Sequence, residues 1–116
     1  MCGGDGYKAL FVTRDTIGEG ERILGEKLMG AWCHHLSQSE SVPSVICFMN
    51  NGIRLCLEGH VCTEHLASLQ QAGVRLLVCG TCLDFYNAAD NLAVGERSSM
   101  PEIQQVLLEA DSVVTI

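Results

Sequence analysis

The sequence predicts an α/β protein, built as three α/β/α layers around a five-stranded, mostly parallel sheet. Two observations carry that expectation. Short continuous apolar runs of the kind found in strands buried on both faces recur along the chain, and segments with helical apolar spacing fall between them. Strands that alternate with helices join in parallel through right-handed crossovers, which puts helices on both faces of the sheet. At 116 residues the chain is expected to form a single domain over 1–116 with a core of its own. No internal repeat, low-complexity tract or linker divides it.

The elements follow in order. KALFVT at 8–13 is the first strand. Leu24, Leu28, Ala31, Trp32 and His35 then recur at helical spacing, with Glu19, Glu21 and Glu26 in the early turns where a helix dipole favours anions, so a helix is predicted over 20–37. After the polar connection SQSESVPS, SVICFM at 44–49 is the second strand. Cys62, Leu66 and Leu69 mark a second helix ending at Gly73, a residue suited to the left-handed conformation beyond a helix end. VRLLVC at 74–79 is the third strand, and Gly80 to Asn87 begins another helix. LAVG at 92–95 is a shorter strand candidate. Ile103, Val106, Leu107 and Ala110 give the last helix, opened by Pro101, whose missing N–H costs nothing there, and SVVTI at 112–116 closes the series.

Composition narrows the setting. The chain is 47% hydrophobic and 18% charged, the balance of a compact protein with buried central elements. No apolar run approaches the roughly 18 residues of a membrane span, and MCGGDGYKAL lacks the basic and long apolar regions of a signal peptide. A cytoplasmic protein is the expectation. The 7 cysteines are an odd number and sit mostly inside apolar periodic segments, which favours a reducing compartment over a disulfide framework. With 7 Lys+Arg against 14 Asp+Glu and a net charge of -7, the overall field repels a phosphate backbone, so nucleic acid is excluded as a ligand class.

In open α/β sheets ligands bind beyond the carboxyl ends of the strands. The segments expected there are Arg14-Asp15-Thr16, Asn50-Asn51-Gly52, Cys79-Gly80-Thr81-Cys82 and Arg97-Ser98-Ser99. Cys79 ends a strand and faces the start of a helix, a place where free backbone N–H groups stabilise a thiolate. Cys82, one turn later, can approach Cys79 as a resolving thiol or a second ligand, or serve as a packing residue of the helix.

Other constellations carry less. A thioredoxin-like site needs a proline facing the cysteine pair, whereas Pro43 precedes the second strand and Pro101 opens a helix. Zinc needs a fuller ligand set than one cysteine pair; in His60, Cys62 and His65 the cysteine belongs to the apolar stripe. His34 and His35 read as solvated or satisfied histidines. Gly18-Glu19-Gly20 lacks the third glycine of a dinucleotide loop, with Ile23 in its place, and Asn50 stands where an acidic residue would hold a ribose. Cys2, Cys33, Cys47 and Cys56 read as packing or incidental residues. No metal and no cofactor are expected.

Taken together, VTRDTIGEGERILGEKLM, FMNNGIRLCLEG, LLVCGTCLDFY and LAVGERSSM resemble, in order and spacing, the DsrE-like domain of the YedF-type proteins linked to selenium metabolism. The resemblance implies a DsrE/DsrF-like fold and kinship with small sulfur-relay proteins that pass persulfide sulfur between cysteines. It places Cys79 at the position where many sulfurtransferases of that superfamily carry their acceptor cysteine, and Cys82 at the second cysteine of the YedF pattern. A TusA-like domain typically precedes this one in the family; the expectation here is a DsrE-like domain without it, either a stand-alone version or an excised domain. His60 departs from the family's Ser, and Ser99-Met100-Pro101 from its Asn-Met-Tyr.

The expected function is therefore that of an accessory sulfur or selenium carrier, sulfurtransferase-like if active. Cys79 would hold the chalcogen as a persulfide or perselenide, and Cys82 would assist its release by forming a disulfide. Arg14, Asp15, Thr16, Asn50, Asn51, Gly80, Thr81, Ser98 and Ser99 would contact substrate or partner, with Thr81 and the N-terminus of the third helix stabilising the anion. The expected partners are sulfur- or selenium-relay proteins, a TusA-like protein among them, and further copies of the chain in a homo-oligomer. Two other readings stand beside it: a non-enzymatic small-ligand or partner-binding module, and a dithiol redox switch.

Overall fold

A computed structural model describes residues 7–116; Cys2 lies outside them. The order is β1 (Lys8–Val12), α1 (Arg22–Ser37), β2 (Val45–Phe48), α2 (Thr63–Gln71), β3 (Arg75–Cys79), α3 (Gly80–Phe85), β4 (Glu96–Ser98), α4 (Met100–Glu109) and β5 (Ser112–Thr115), with 3-10 turns at Asn50–Cys56 and Ala89–Asn91. The five strands form one sheet in the order β4-β3-β2-β1-β5, and every pairing is parallel. Alternate strand residues separate two cores. Leu10, Val12, Ile46, Phe48, Leu76 and Val78 pack with Met29 and Cys33 of α1 and Leu66 and Leu69 of α2. Ala9, Val45, Cys47, Leu77 and Cys79 pack with Ile103 of α4. These are the three expected layers.

Three expectations shift. The fourth strand is Glu96–Ser98, not 92–95: Leu92 makes only an isolated antiparallel bridge to Leu57, and the chain enters the strand through Gly95 at φ 81. The buried face of α1 is Gly25, Met29 and Cys33, whereas Leu24, Leu28 and Trp32 are left exposed. Gly25 lets the helix approach the loop after β1 so closely that a Cβ there would stand 2.8 Å from Thr16 Cβ. Finally, β5 is continuous in apolar character but exposed at every position, because it is an edge strand.

The loop after β2 sets the site. Met49 donates its N–H to the Val12 carbonyl at 2.9 Å, and the chain then crosses the end of β1 with Gly52 against it. A Cβ on Gly52 would lie 2.6 Å from the Val12 carbonyl oxygen. Gly52→Ala is therefore expected to lower unfolding free energy by about 1–3 kcal/mol, measured by urea denaturation. Gly20→Ala, with nothing within 4 Å of the new Cβ, should stay close to the parent.

Candidate functional site

β3 delivers Cys79 to the carboxyl edge of the sheet, between β2 and β4, and α3 starts at the next residue. Cys79 serves as the N-cap of α3 and turns its side chain into the core beneath α4, at 1% exposure. Cys82, in the first turn of α3, is half-buried and packs against both core clusters. The sequence reasoning expected the strand-end thiol to be the open one. Accessibility runs the other way, because the alternation of β3 points Cys79 inward while the helical turn brings Cys82 back to the surface.

The backbone donor also sits elsewhere than expected. α3 has six residues, too short to add much dipole. The N–H that reaches a sulfur belongs to Asn50, which donates to Cys82 Sγ at 3.1 Å. Asn50 adopts φ 53, a left-handed conformation that asparagine tolerates better than most residues. Its Oδ1 accepts from the N–H of Asn51 at 2.8 Å and from the hydroxyl of Tyr86 at 3.2 Å. Two donors thus clamp the side chain of the residue whose N–H meets the thiol.

Behind Asn50 the network continues inward. The Arg54 guanidinium lies 5.1 Å from the Tyr86 ring centroid and 3.7 Å from Asp15 Oδ2, which also pairs with Arg22 at 2.6 Å. Asp15 is buried, and its Oδ1 is without a hydrogen-bond partner among the described residues. Its N–H donates to Asn51 Oδ1 at 3.2 Å, so the loops after β1 and β2 are stitched together. On the other flank, Arg97 of β4 makes a two-pronged pair with Asp84 of α3 at 2.9 and 2.6 Å. The guanidinium lies over Gly80, where a Cβ would come within 2.8 Å of Arg97 Nε.

The predicted site residues divide accordingly. Asn50 touches Cys82; Asn51 and Asp15 brace that loop; Gly80 gives room to Arg97. Thr16 is buried against Gly25, a packing role, and Thr81 is exposed. Ser99 is the N-cap of α4, accepting from the N–H of Glu102, and the buried Ser98 donates to the Glu102 carboxylate. Arg14 lines a separate hollow with Thr13, Ile17, Gly18, Glu19, Thr115 and Ile116. Sequence reasoning missed Arg54, Tyr86 and Asp84. Tyr86, one helical turn after Cys82, was the available signal; the partnership of Arg54 with it spans too much sequence to read.

The remaining thiols are sealed. The hydrogen bond with Cys62, then burial, pushes Cys33 up; burial pushes Cys56 up and Cys47 up to about 11. Cys62 is buried at the N-cap of α2, with its N–H donating to His60 Nδ1 at 3.0 Å, while His65 meets His34 edge-on. Burial also raises the Cys82 thiol; the N–H of Asn50 pulls it down and the neighbouring Cys79 raises it further.

The sequence pattern of the DsrE/DsrF-like family matches residues 35–116. Among solved structures, the fold is similar to that of the crystal structure of the ychN protein from E. coli, with a TM-score of 0.69 and 22% identity over 95% of this chain and 99% of that one. No curated protein matches the sequence. Among the described residues, no helix is long and apolar enough to cross a membrane.

Alkylation of the native protein, followed by peptide mapping, is expected to modify Cys82 ahead of every other described cysteine. Because the Cys82 thiol is raised, its rate should keep climbing with pH beyond the range of a free thiol, about 8.5. Early modification of Cys79, or a plateau below that range, would contradict the burial and its consequence.

Proposed function

The chain belongs to the DsrE/DsrF-like family, which is generally linked to sulfur relay, and on that premise we propose that it is an accessory sulfur or selenium carrier that works through Cys79 and Cys82. One observation supports this above the others. Two thiols share a strand-to-helix turn, one half-exposed with a backbone N–H on its sulfur, the other sealed beside it.

The accessibility favours Cys82 as the thiol that meets the donor and Cys79 as the one that holds the cargo. The Cys82 thiolate attacks the outer sulfur of a donor persulfide; the donor S–S bond breaks, a thiolate leaves, and Cys82 carries the persulfide. Cys79 then attacks the same outer sulfur: a new S–S bond forms on Cys79, the bond to Cys82 breaks, and the Cys79 proton passes to the departing Cys82 sulfur beside it, which returns as a thiol. No net oxidation occurs in either exchange, and a perselenide follows the same steps. The Asn50 N–H stabilises the anion on Cys82 at each stage. An acceptor thiol, such as that of a TusA-like protein, completes the relay.

Incubation with a small persulfide donor and mass spectrometry of the digested protein tests the reading. The parent is expected to gain one sulfur atom on the peptide holding Cys79 and Cys82. Cys82→Ser should load at least about tenfold more slowly, and Cys79→Ser should load but lose its adduct rapidly to added thiol. A parent that takes up nothing would favour the binding-module reading, and single variants that both load and retain like the parent would remove the pair from the mechanism.

A homo-oligomer is part of the same proposal. It is supported by the exposed Leu24, Leu28 and Trp32 on α1 and by the outer edge of β5, which is unpaired among the described residues. Light scattering is expected to give a mass of two or more chains, with Leu28→Glu shifting it toward one; a monomer at all concentrations would refute it.

A further inference from the structure

The chain carries a net charge of -7, so an anionic chalcogen donor approaches against the overall field. Persulfides and perselenides are anionic near neutral pH, and the short α3 supplies little dipole to receive them. The cations, however, are not spread evenly. Arg14, Arg22, Arg54 and Arg97, more than half of the 7 Lys+Arg, follow or end strands at the carboxyl edge of the sheet. Two of them are anchored to residues of the turn that carries Cys82: Arg97 to Asp84, and Arg54 to the ring of Tyr86.

We infer that Arg54 and Arg97 flank the Cys79–Cys82 turn as a pair of specificity-determining cations, selecting donors that carry negative charge beside the reacting sulfur over neutral disulfides and trisulfides. This rests on the carrier reading above and names its substrate class. Each guanidinium is held in place while keeping part of its surface free. Arg97 lies flat over Gly80, with 52% of its side chain exposed. Arg54 is 45% exposed, and its grip on Asp15 is loose at 3.7 Å because Arg22 occupies the same carboxylate oxygen at 2.6 Å. Its charge is therefore the less neutralised of the two. Tyr86 ties it to the thiol, since the ring beneath Arg54 carries the hydroxyl that donates to Asn50, and Asn50 donates to Cys82. Gly80 fits the same account: any side chain there would push the Arg97 guanidinium away from the turn.

Two readouts on the full chain test this. The first compares alkylation of Cys82 by anionic iodoacetate and neutral iodoacetamide, which depends on local charge and not on sulfur transfer. Arg54→Gln and Arg97→Gln are each expected to lower the iodoacetate-to-iodoacetamide rate ratio about fivefold. Arg54→Lys and Arg97→Lys should keep most of it, and Lys27→Gln on α1 should leave it unchanged. The second compares loading from an anionic persulfide with loading from a neutral trisulfide, where the Gln variants should lose preference for the former. Parental ratios in both Gln variants, or an equal fall in Lys27→Gln, would overturn the inference. Lys variants that fall as far as the Gln variants would reduce both arginines to structural pairs, overturning it as well. If the parent carries no sulfur adduct yet the alkylation ratio responds as stated, the carrier reading fails while the anion-receiving site stands.

Discussion

The crossing of β2's exit over the end of β1 is the constraint on which the site depends. Gly52 lies against the Val12 carbonyl, closer than any side chain permits, and Met49 is hydrogen-bonded to the same oxygen. With those contacts made, the chain turns sharply, and Asn50 takes a left-handed conformation that only a residue with a short polar side chain or none adopts at low cost. That turn aims its N–H across to α3. The same 3-10 segment carries Arg54 to the ring of Tyr86 and Asn51 to the backbone of Asp15. A single close approach of two backbones therefore orients the donor on Cys82, one of the flanking cations and the buried carboxylate behind it.

The electrostatics of the turn balance opposing effects. Burial disfavours a thiolate at Cys82, and one well-directed N–H offsets only part of that. The Cys82 thiol is thus held above the ordinary range, and the stabilisation its thiolate finds comes from the Asn50 N–H. Burial also pushes the Cys47 and Cys56 thiols up, while Cys62, lowered by its hydrogen bonds with Cys33 and then His60, is sealed in the core. The chain thus has many cysteines but one surface at which sulfur chemistry is accessible among the described residues. The exposed Asp84 of α3 and the half-buried Tyr86 that caps its C-terminus bring Arg97 and Arg54 to that surface.

Much of the fold was legible because strands buried on both faces must be continuously apolar, as KALFV, VICF and RLLVC are. β4 was misplaced for the same reason: an edge strand of three residues, Glu96, Arg97 and Ser98, has no apolar signature, so the apolar LAVG before it drew the assignment. On α1 the large residues Leu24, Leu28 and Trp32 outweigh the small Gly25 and Cys33, although close packing against the Thr16 loop needs Gly25 and the core takes Cys33. In the site, the cysteine pair and the Asn50 loop could be read from the rule that strand ends gather ligands. Which thiol is open, and which donor faces it, could not. Both follow from side-chain direction at the end of β3 and from a backbone angle at Asn50, and neither is written in residue type.

The central claim is that the Asn50 N–H serves the sulfur of Cys82, and the amide resonance of Asn50 in a nitrogen–proton correlation spectrum reports on it directly. As Cys82 is deprotonated by raising the pH, that amide proton is expected to move downfield more than its neighbours, and to stay in place in Cys82→Ser. An Asn50 resonance that ignores the ionisation of Cys82, or shifts equally when Cys82 is absent, would contradict the account.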